Sequence, residues 1–256
     1  MTLSREDCFR ELGLWPLWRL REARADTAAA TAPPGGGEEM ADAASPARTS
    51  MPRAASVMPV AARAADALDW DTLRAAIKTC TLCELHKTRT QGVPGVGDIH
   101  AEWLFVGEAP GADEDRQGEP FVGQAGKLLD AMLGALRLRR GENVYIANVL
   151  KSRPPGNRDP SPVEVAACLP YLERQIDLIR PKLIVALGRF AAQSLLLTET
   201  PIGRMRGRVH EYRGVPLVVT YHPAYLLRNP ADKAKVWDDL VLAANTLRNL
   251  KARAQP

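Results

Sequence analysis

Three stretches of this chain gather residue types that do chemistry. The first, GEAPGADEDRQGEPFVGQAG (107–126), holds five glycines, two prolines and the acidic cluster Glu108, Asp113, Glu114, Asp115 and Glu119. Glycines let a backbone approach a flat or phosphorylated ligand closely. The carboxylates argue against a plain phosphate cradle, and GxxxxGK[ST] is missing. The plainer reading is a solvated acidic turn. The second, NVLKSRPPGNRDPSP (148–162), offers Asn148, whose amide can read the donor and acceptor edge of a heterocycle, or simply cap a strand. Lys151, Arg153 and Arg158 follow, stiffened by Pro154 and Pro155, and suit backbone phosphates or a solvated loop. The third is YHPAYLLRNP (221–230). His222 before a proline can stabilise a developing anion or serve as a hydrogen-bonded structural residue. Leu226 and Leu227 read as apolar loop tips, candidates for a wedge between bases. A fourth group is sulfur. Cys80 and Cys83 form TCTLC, and Cys168 lies far downstream. CxxC with a distant third cysteine suggests a metal or iron–sulfur site, with a metal-free pair as the alternative.

These stretches follow apolar runs. WLFVGEAP (103–110), VYIANVLKS (144–152), KLIVALG (182–188) and VPLVVTYHP (215–223) read as strands. Helical patterns lie between and after them at 124–139, 161–180, 189–196 and 232–250. The helix at 161 opens with a capping box, Ser161 to Glu164, and Pro162 at its first position. Alternating strands and helices predict an α/β fold: a three-layer α/β/α sandwich on a four-stranded, mainly parallel central sheet. In such sheets ligands sit beyond the carboxyl ends of the strands, where all three polar stretches fall.

The remainder divides by composition. Residues 1–25 contain an apolar-sided element, WPLWRL, expected either to bind a partner protein or to dock on its own domain. Residues 26–66, with TAPPGGGEE, read as a flexible Ala/Pro/Gly-rich linker. Residues 67–256 form the expected catalytic domain. The 256 residues carry 34 Lys+Arg and 30 Asp+Glu, net +4. Residues 1–66 hold 8 and 9 of these, so 67–256 hold 26 and 21, and the basic bias belongs to the domain. That surplus suits nucleic acid. A hydrophobic share of 46% excludes a fully disordered chain. No apolar run approaches the ~20 residues of a spanning helix, and MTLSREDCFR does not read as a secretory signal. A cytoplasmic monomer away from membranes is expected. Four cysteines are too few for a disulfide scaffold.

Together, GEAPGADEDRQGEPFVGQAG, NVLKSRPPGNR and HPAYLLR, with CxxC upstream, resemble the family 4 uracil-DNA glycosylases, the iron–sulfur bacterial members of the uracil-DNA glycosylase superfamily. The resemblance covers about residues 70–250. It implies a base excision repair hydrolase that flips uracil from single- or double-stranded DNA and cleaves its N-glycosidic bond. The family pattern implies a pocket in which Gly107, Ala109, Phe121 and Asn148 bind the base. Phe121 would lie against its face and Asn148 would read uracil N3–H and O4. His222 would bond uracil O2. Glu108 and Glu114 would shape the first loop and position water. Lys151, Arg153 and Arg158 would meet phosphates, and Leu226 would sit near the wedge.

Two departures from the pattern matter. Superfamily members with GQDPY use the Asp to activate water, and Ala109 stands at that place. The family pattern also implies a [4Fe–4S] cluster on four cysteines. Cys80, Cys83 and Cys168 match, but Ser152 holds the fourth position, with 68 residues before it from Cys83 and 15 after it to Cys168. A serine alkoxide or water could complete the set, Cys8 could reach in, or the cluster could be labile or absent; the favoured expectation is a labile cluster on three thiolates. The Ser152 change also supports a second hypothesis, a non-catalytic or weakly catalytic DNA- or uracil-binding module. A zinc protein is disfavoured, because no fourth Cys or His stands at zinc spacing.

Overall fold

The computed structural model describes residue 65 and residues 67–254. The N-terminal element and nearly all of the linker lie outside the described residues. Helix α1 (Trp70–Thr79) begins on Asp69, whose carboxylate accepts from Thr72 N–H. It seats Leu73 and Ile77 against Tyr171.

Six strands form one sheet: β1 (Val96–Gly97), β2 (Trp103–Gly107), β3 (Val144–Asn148), β4 (Leu183–Leu187), β5 (Val209–Tyr212) and β6 (Val215–Thr220). Their spatial order is β1-β3-β2-β4-β6-β5. The four inner strands are parallel and are the four that the apolar runs predict. The two edge strands are antiparallel and extend the expected four-stranded sheet to six. β1 is too short to show a pattern, and β5 alternates exposed and half-buried residues, so neither produces an apolar run.

The inner strands are buried on both faces. Leu104, Val106, Tyr145, Ala147, Ile184 and Ala186 face one core with α4 (Pro162–Ile179) and α5 (Arg189–Leu196). Phe105, Ile146, Val185 and Val218 face another, closed by α3 (Gln124–Ala135), α7 (Pro223–Arg228) and α8 (Lys233–Ala254). This double burial is why the strands read as continuous apolar runs. The α4 capping box forms as its sequence demands, with Ser161 Oγ accepting from Glu164 N–H and Glu164 accepting from Ser161 N–H. Two short helices complete the order, α2 (Ala112–Gln117) and α6 (Ile202–Met205).

Candidate active site

β3 and β2 end side by side and β6 ends one strand further on, beyond β4, and their ends border one cleft of about 820 Å³. β2 ends on Gly107 and β3 on Asn148, which are paired across the ladder. A Cβ on Gly107 would lie 2.4 Å from Asn148 Oδ1 and 2.6 Å from Phe121 Cζ, so only glycine fits beneath them. β6 runs through Thr220 and Tyr221 to His222, which caps α7.

The three side chains converge. Phe121, at φ 56°, is held in the left-handed region that a bulky residue seldom adopts. Its backbone carbonyl accepts from Arg140, and Gly126 lies so close that a Cβ there would strike it. Its ring stacks on His222 with centroids 5.4 Å apart and planes 29° apart. His222 Nδ1 accepts from Ala224 N–H at 3.1 Å. Burial, aided by the Arg228 charge, pushes the imidazole down to about 4, so it is neutral at pH 7. With Nδ1 used as acceptor, the neutral ring carries its proton on Nε2. Asn148 is 2% exposed, and its Oδ1 is the buried side-chain atom without a hydrogen-bond partner among the described residues. A buried amide oxygen in a cleft wall, unpartnered in the free protein, is a receptor for an N–H from outside.

Glu108 and Ala109 line the same cleft. Burial pushes the Glu108 carboxyl up to about 7; Asp159 adds to the shift and Arg189 opposes it. The first loop is ordered by its own acids rather than left solvated. Glu114 Oε1 accepts from Val122 N–H and Gly123 N–H, and buried Asp115 accepts from Thr90 N–H and Gln91 N–H. Glu114 thus shapes the turn that carries Phe121.

Two expectations about DNA contacts are corrected. Lys151 is 1% exposed and enclosed: its Nζ donates to Asn148 O and Gln175 Oε1, both at 2.7 Å, so it meets no phosphate. Leu226 is 1% exposed and packs in the core with Val236 and Leu240, so it is no loop tip. HPAYLLR forms a helix, and one residue of rotation puts Leu227 outward instead, 49% exposed. Arg158 lines the cleft and forks onto Glu164, and Arg153 lies outside the cleft lining and donates to the neutral Asn157 amide.

Sequence reasoning missed two supports. Thr220 Oγ1 donates to Asp239, which also accepts from Arg206, while the Arg206 guanidinium covers the Tyr221 ring. This network pins the strand end that carries His222. The available signal was Asp239 standing among Val236, Leu240 and Ala243 at helical spacing, a carboxylate on an apolar face. Across the cleft, Arg189 stacks on Phe190 and pairs with Asp159.

The sulfur residues meet elsewhere. Cys83 and the buried Cys168 lie in one cluster with Leu85 and Leu150, and their interaction pulls the Cys83 thiol down to about 6 and drives the Cys168 thiol up. Lys151 N–H donates to Cys168 Sγ at 3.4 Å. Cys80 lies by the Tyr171 hydroxyl. Arg89 donates to Ser152 Oγ and, at 2.7 Å, to Cys80 O. Among the described residues no three His, Cys, Asp or Glu side chains gather closely enough to hold a single metal ion. Three soft donors with one thiol already close to neutral pH suit iron that prefers thiolate, while the fourth corner is a hydroxyl engaged by a guanidinium. By their chemistry alone, the three thiols are donors of the kind an iron–sulfur group takes. Among the described residues, no helix is long and apolar enough to cross a membrane.

Comparison with known proteins gives the same direction as the geometry. Residues 94–241 match the family model described as the uracil DNA glycosylase superfamily. A type-4 uracil-DNA glycosylase of Archaeoglobus fulgidus is 54% identical over 168 residues, 62% of this chain and 84% of that protein. One from Pyrobaculum aerophilum is 44% identical over 183 residues, 68% and 93% of the two chains. One from Thermotoga maritima is 43% identical over 176 residues, 67% and 91%.

Proposed function

The chain belongs to the uracil DNA glycosylase superfamily, and from that membership and the cleft we infer that it is a uracil-DNA glycosylase of DNA repair. It hydrolyses the N-glycosidic bond of uracil in DNA and leaves an abasic site. The observation that carries the site assignment is the unpartnered Asn148 Oδ1 beside the Phe121–His222 stack.

A base inside the stack is out of reach, so the nucleotide turns out into the cleft. Phe121 takes the uracil face. Asn148 Oδ1 accepts from N3–H, and its amide N–H donates to O4. Cytosine offers the opposite order, leaving buried groups facing like groups, which discriminates strongly. As the C1′–N1 bond lengthens, the electron pair goes to the base and negative charge builds on O2. The neutral His222 ring donates its Nε2–H there; a donor already aimed at the charge needs no rearrangement. The sugar becomes oxocarbenium-like. Water adds to C1′, held by Glu108, and its proton leaves through the ionised carboxylate or solvent. With Ala109 where other members place an Asp, the rate leans on leaving-group stabilisation. Arg158 and Arg189 on the rim suit flanking phosphates, and exposed Leu227 takes the place of the wedge.

Cys80, Cys83 and Cys168 would hold an iron–sulfur cluster, which would cross-link α1, the loop after it and α4 without entering the reaction. The enzyme reads as a cytoplasmic monomer acting on single- or double-stranded DNA, with residues 1–25 as the segment that meets a protein partner. The test is release of free uracil from single-stranded and U·G-containing oligonucleotides. Release that is lost in Asn148→Ala and His222→Ala supports the assignment; unchanged release in both variants refutes it.

A further inference from the structure

The buried lysine behind the pocket has no place in the chemistry above. Lys151 is 1% exposed, yet its Nζ bonds only neutral oxygens, Asn148 O and Gln175 Oε1. Gln175, itself 0% exposed, is fixed in turn by donating to Pro94 O at 2.6 Å and to the Tyr145 hydroxyl. The lysine backbone is tied down as well, its C=O accepting from Val93 N–H and its N–H donating to Cys168 Sγ. Enclosing a lysine amine without a carboxylate is unfavourable in either protonation state, and an apolar side chain would fill the space at lower free energy.

The geometry points to Lys151 as a positioning residue for base recognition, holding the Asn148 carbonyl and so aiming the amide that reads uracil. The reasoning follows from what holds Asn148. It is the last residue of β3, and past it the backbone stays fastened to the β2 side, Val149 N–H donating to Gly107 O and Leu150 N–H to Glu108 O. Its Oδ1 has no partner of its own, so no bond from that oxygen fixes the rotamer. The amide's aim is then set by the backbone, and the Asn148 carbonyl is fastened by Lys151. The same residue touches Cys168, so one side chain and its own peptide join the sulfur corner to the base-reading strand end.

This rests on the uracil reading, and wild-type excision is its control: a wild type that releases no uracil sinks that reading before the lysine is judged. Lys151→Met keeps the stem and removes the donors. Single-turnover excision and free-uracil binding are measured for Lys151→Met, Asn148→Ala and the double variant, with melting temperatures alongside. Leaving two buried acceptors unpaired is expected to lower kcat/KM by about 30-fold and to weaken free-uracil binding. In the Asn148→Ala background the lysine change is expected to add under about 2-fold, because it acts through Asn148. Multiplicative losses, or a lowered melting temperature with unchanged kcat/KM and uracil binding, overturn the proposal. Should Lys151→Met not fold, Gln175→Met is read by the same criteria: a loss that vanishes with Asn148→Ala supports it, and an independent loss overturns it.

Discussion

The base pocket and the sulfur corner meet the two ends of one short segment, Asn148 to Ser152, and are satisfied in opposite ways. In the pocket, Asn148 Oδ1 is buried without a partner and Phe121 holds a left-handed backbone. In the corner, Ser152 Oγ, the Cys80 and Cys83 carbonyls and Cys168 Sγ all have hydrogen-bond partners. A site for a passing ligand keeps an unmet bond for it; a site that fastens elements together closes its bonds at home. The difference teaches where substitutions should separate activity from stability.

The largest separation is expected at Asn148. Asn148→Ala should cut uracil excision by about 1000-fold, as for loss of a transition-state donor set, with little change in melting temperature. A large drop in melting temperature would break the contrast. Gly107→Ala comes next. Its new Cβ collides with Asn148 Oδ1 and the Phe121 ring, so excision should fall about 100-fold with a moderate loss of stability, read by kinetics and thermal melting together. The neighbouring leucines sharpen it further. Leu226→Ala should destabilise by about 3 kcal/mol in denaturant unfolding. Leu227→Ala should leave stability unchanged and slow excision from duplex DNA by about 10-fold relative to single strands. Equal behaviour of the two would contradict the helix phase.

Glu108 gives a smaller, pH-dependent effect. Its carboxyl is held near 7 by burial, so the ionised form needed to hold and deprotonate water gains as pH rises. The excision rate should rise several-fold from pH 6 to 8, and Glu108→Gln should flatten that rise. His222 should give no inflection there, since its ring is already neutral above about 4. The smallest effect on rate belongs to the corner. Ser152→Cys places a thiol beside the Arg89 guanidinium, which favours thiolate. Bound iron and sulfide should rise while kcat changes less than about 2-fold; unchanged iron would refute three-cysteine ligation completed at this position.

The strand ends were legible because each pairs an apolar run with one odd residue: glycine at 107, asparagine at 148, histidine just past 220. The four parallel strands were legible for the same reason, being buried on both faces. What stayed hidden depends on tertiary partners. Lys151 stands two residues before Arg153 and its two prolines and looks like a phosphate contact; Gln175, 24 residues on, helps make it a core residue. Leu226 and Leu227 are identical in type, and the phase of a six-residue helix decides which is wet. Asp115 reads as solvated charge, because the Thr90 N–H it accepts from belongs to a distant turn. The edge strands escaped notice for want of burial.

Those edges have a consequence of their own. A sheet with an open margin is a template for another chain's strand, the first step of aggregation. Here one margin is β1, two residues long, and the other is β5, which carries His210 and Glu211 and ends against Arg213 and its acidic partners Glu173 and Asp177. Neither presents a long apolar ribbon. Several copies crowded on one stretch of damaged duplex can therefore sit shoulder to shoulder without zipping into a shared β-structure.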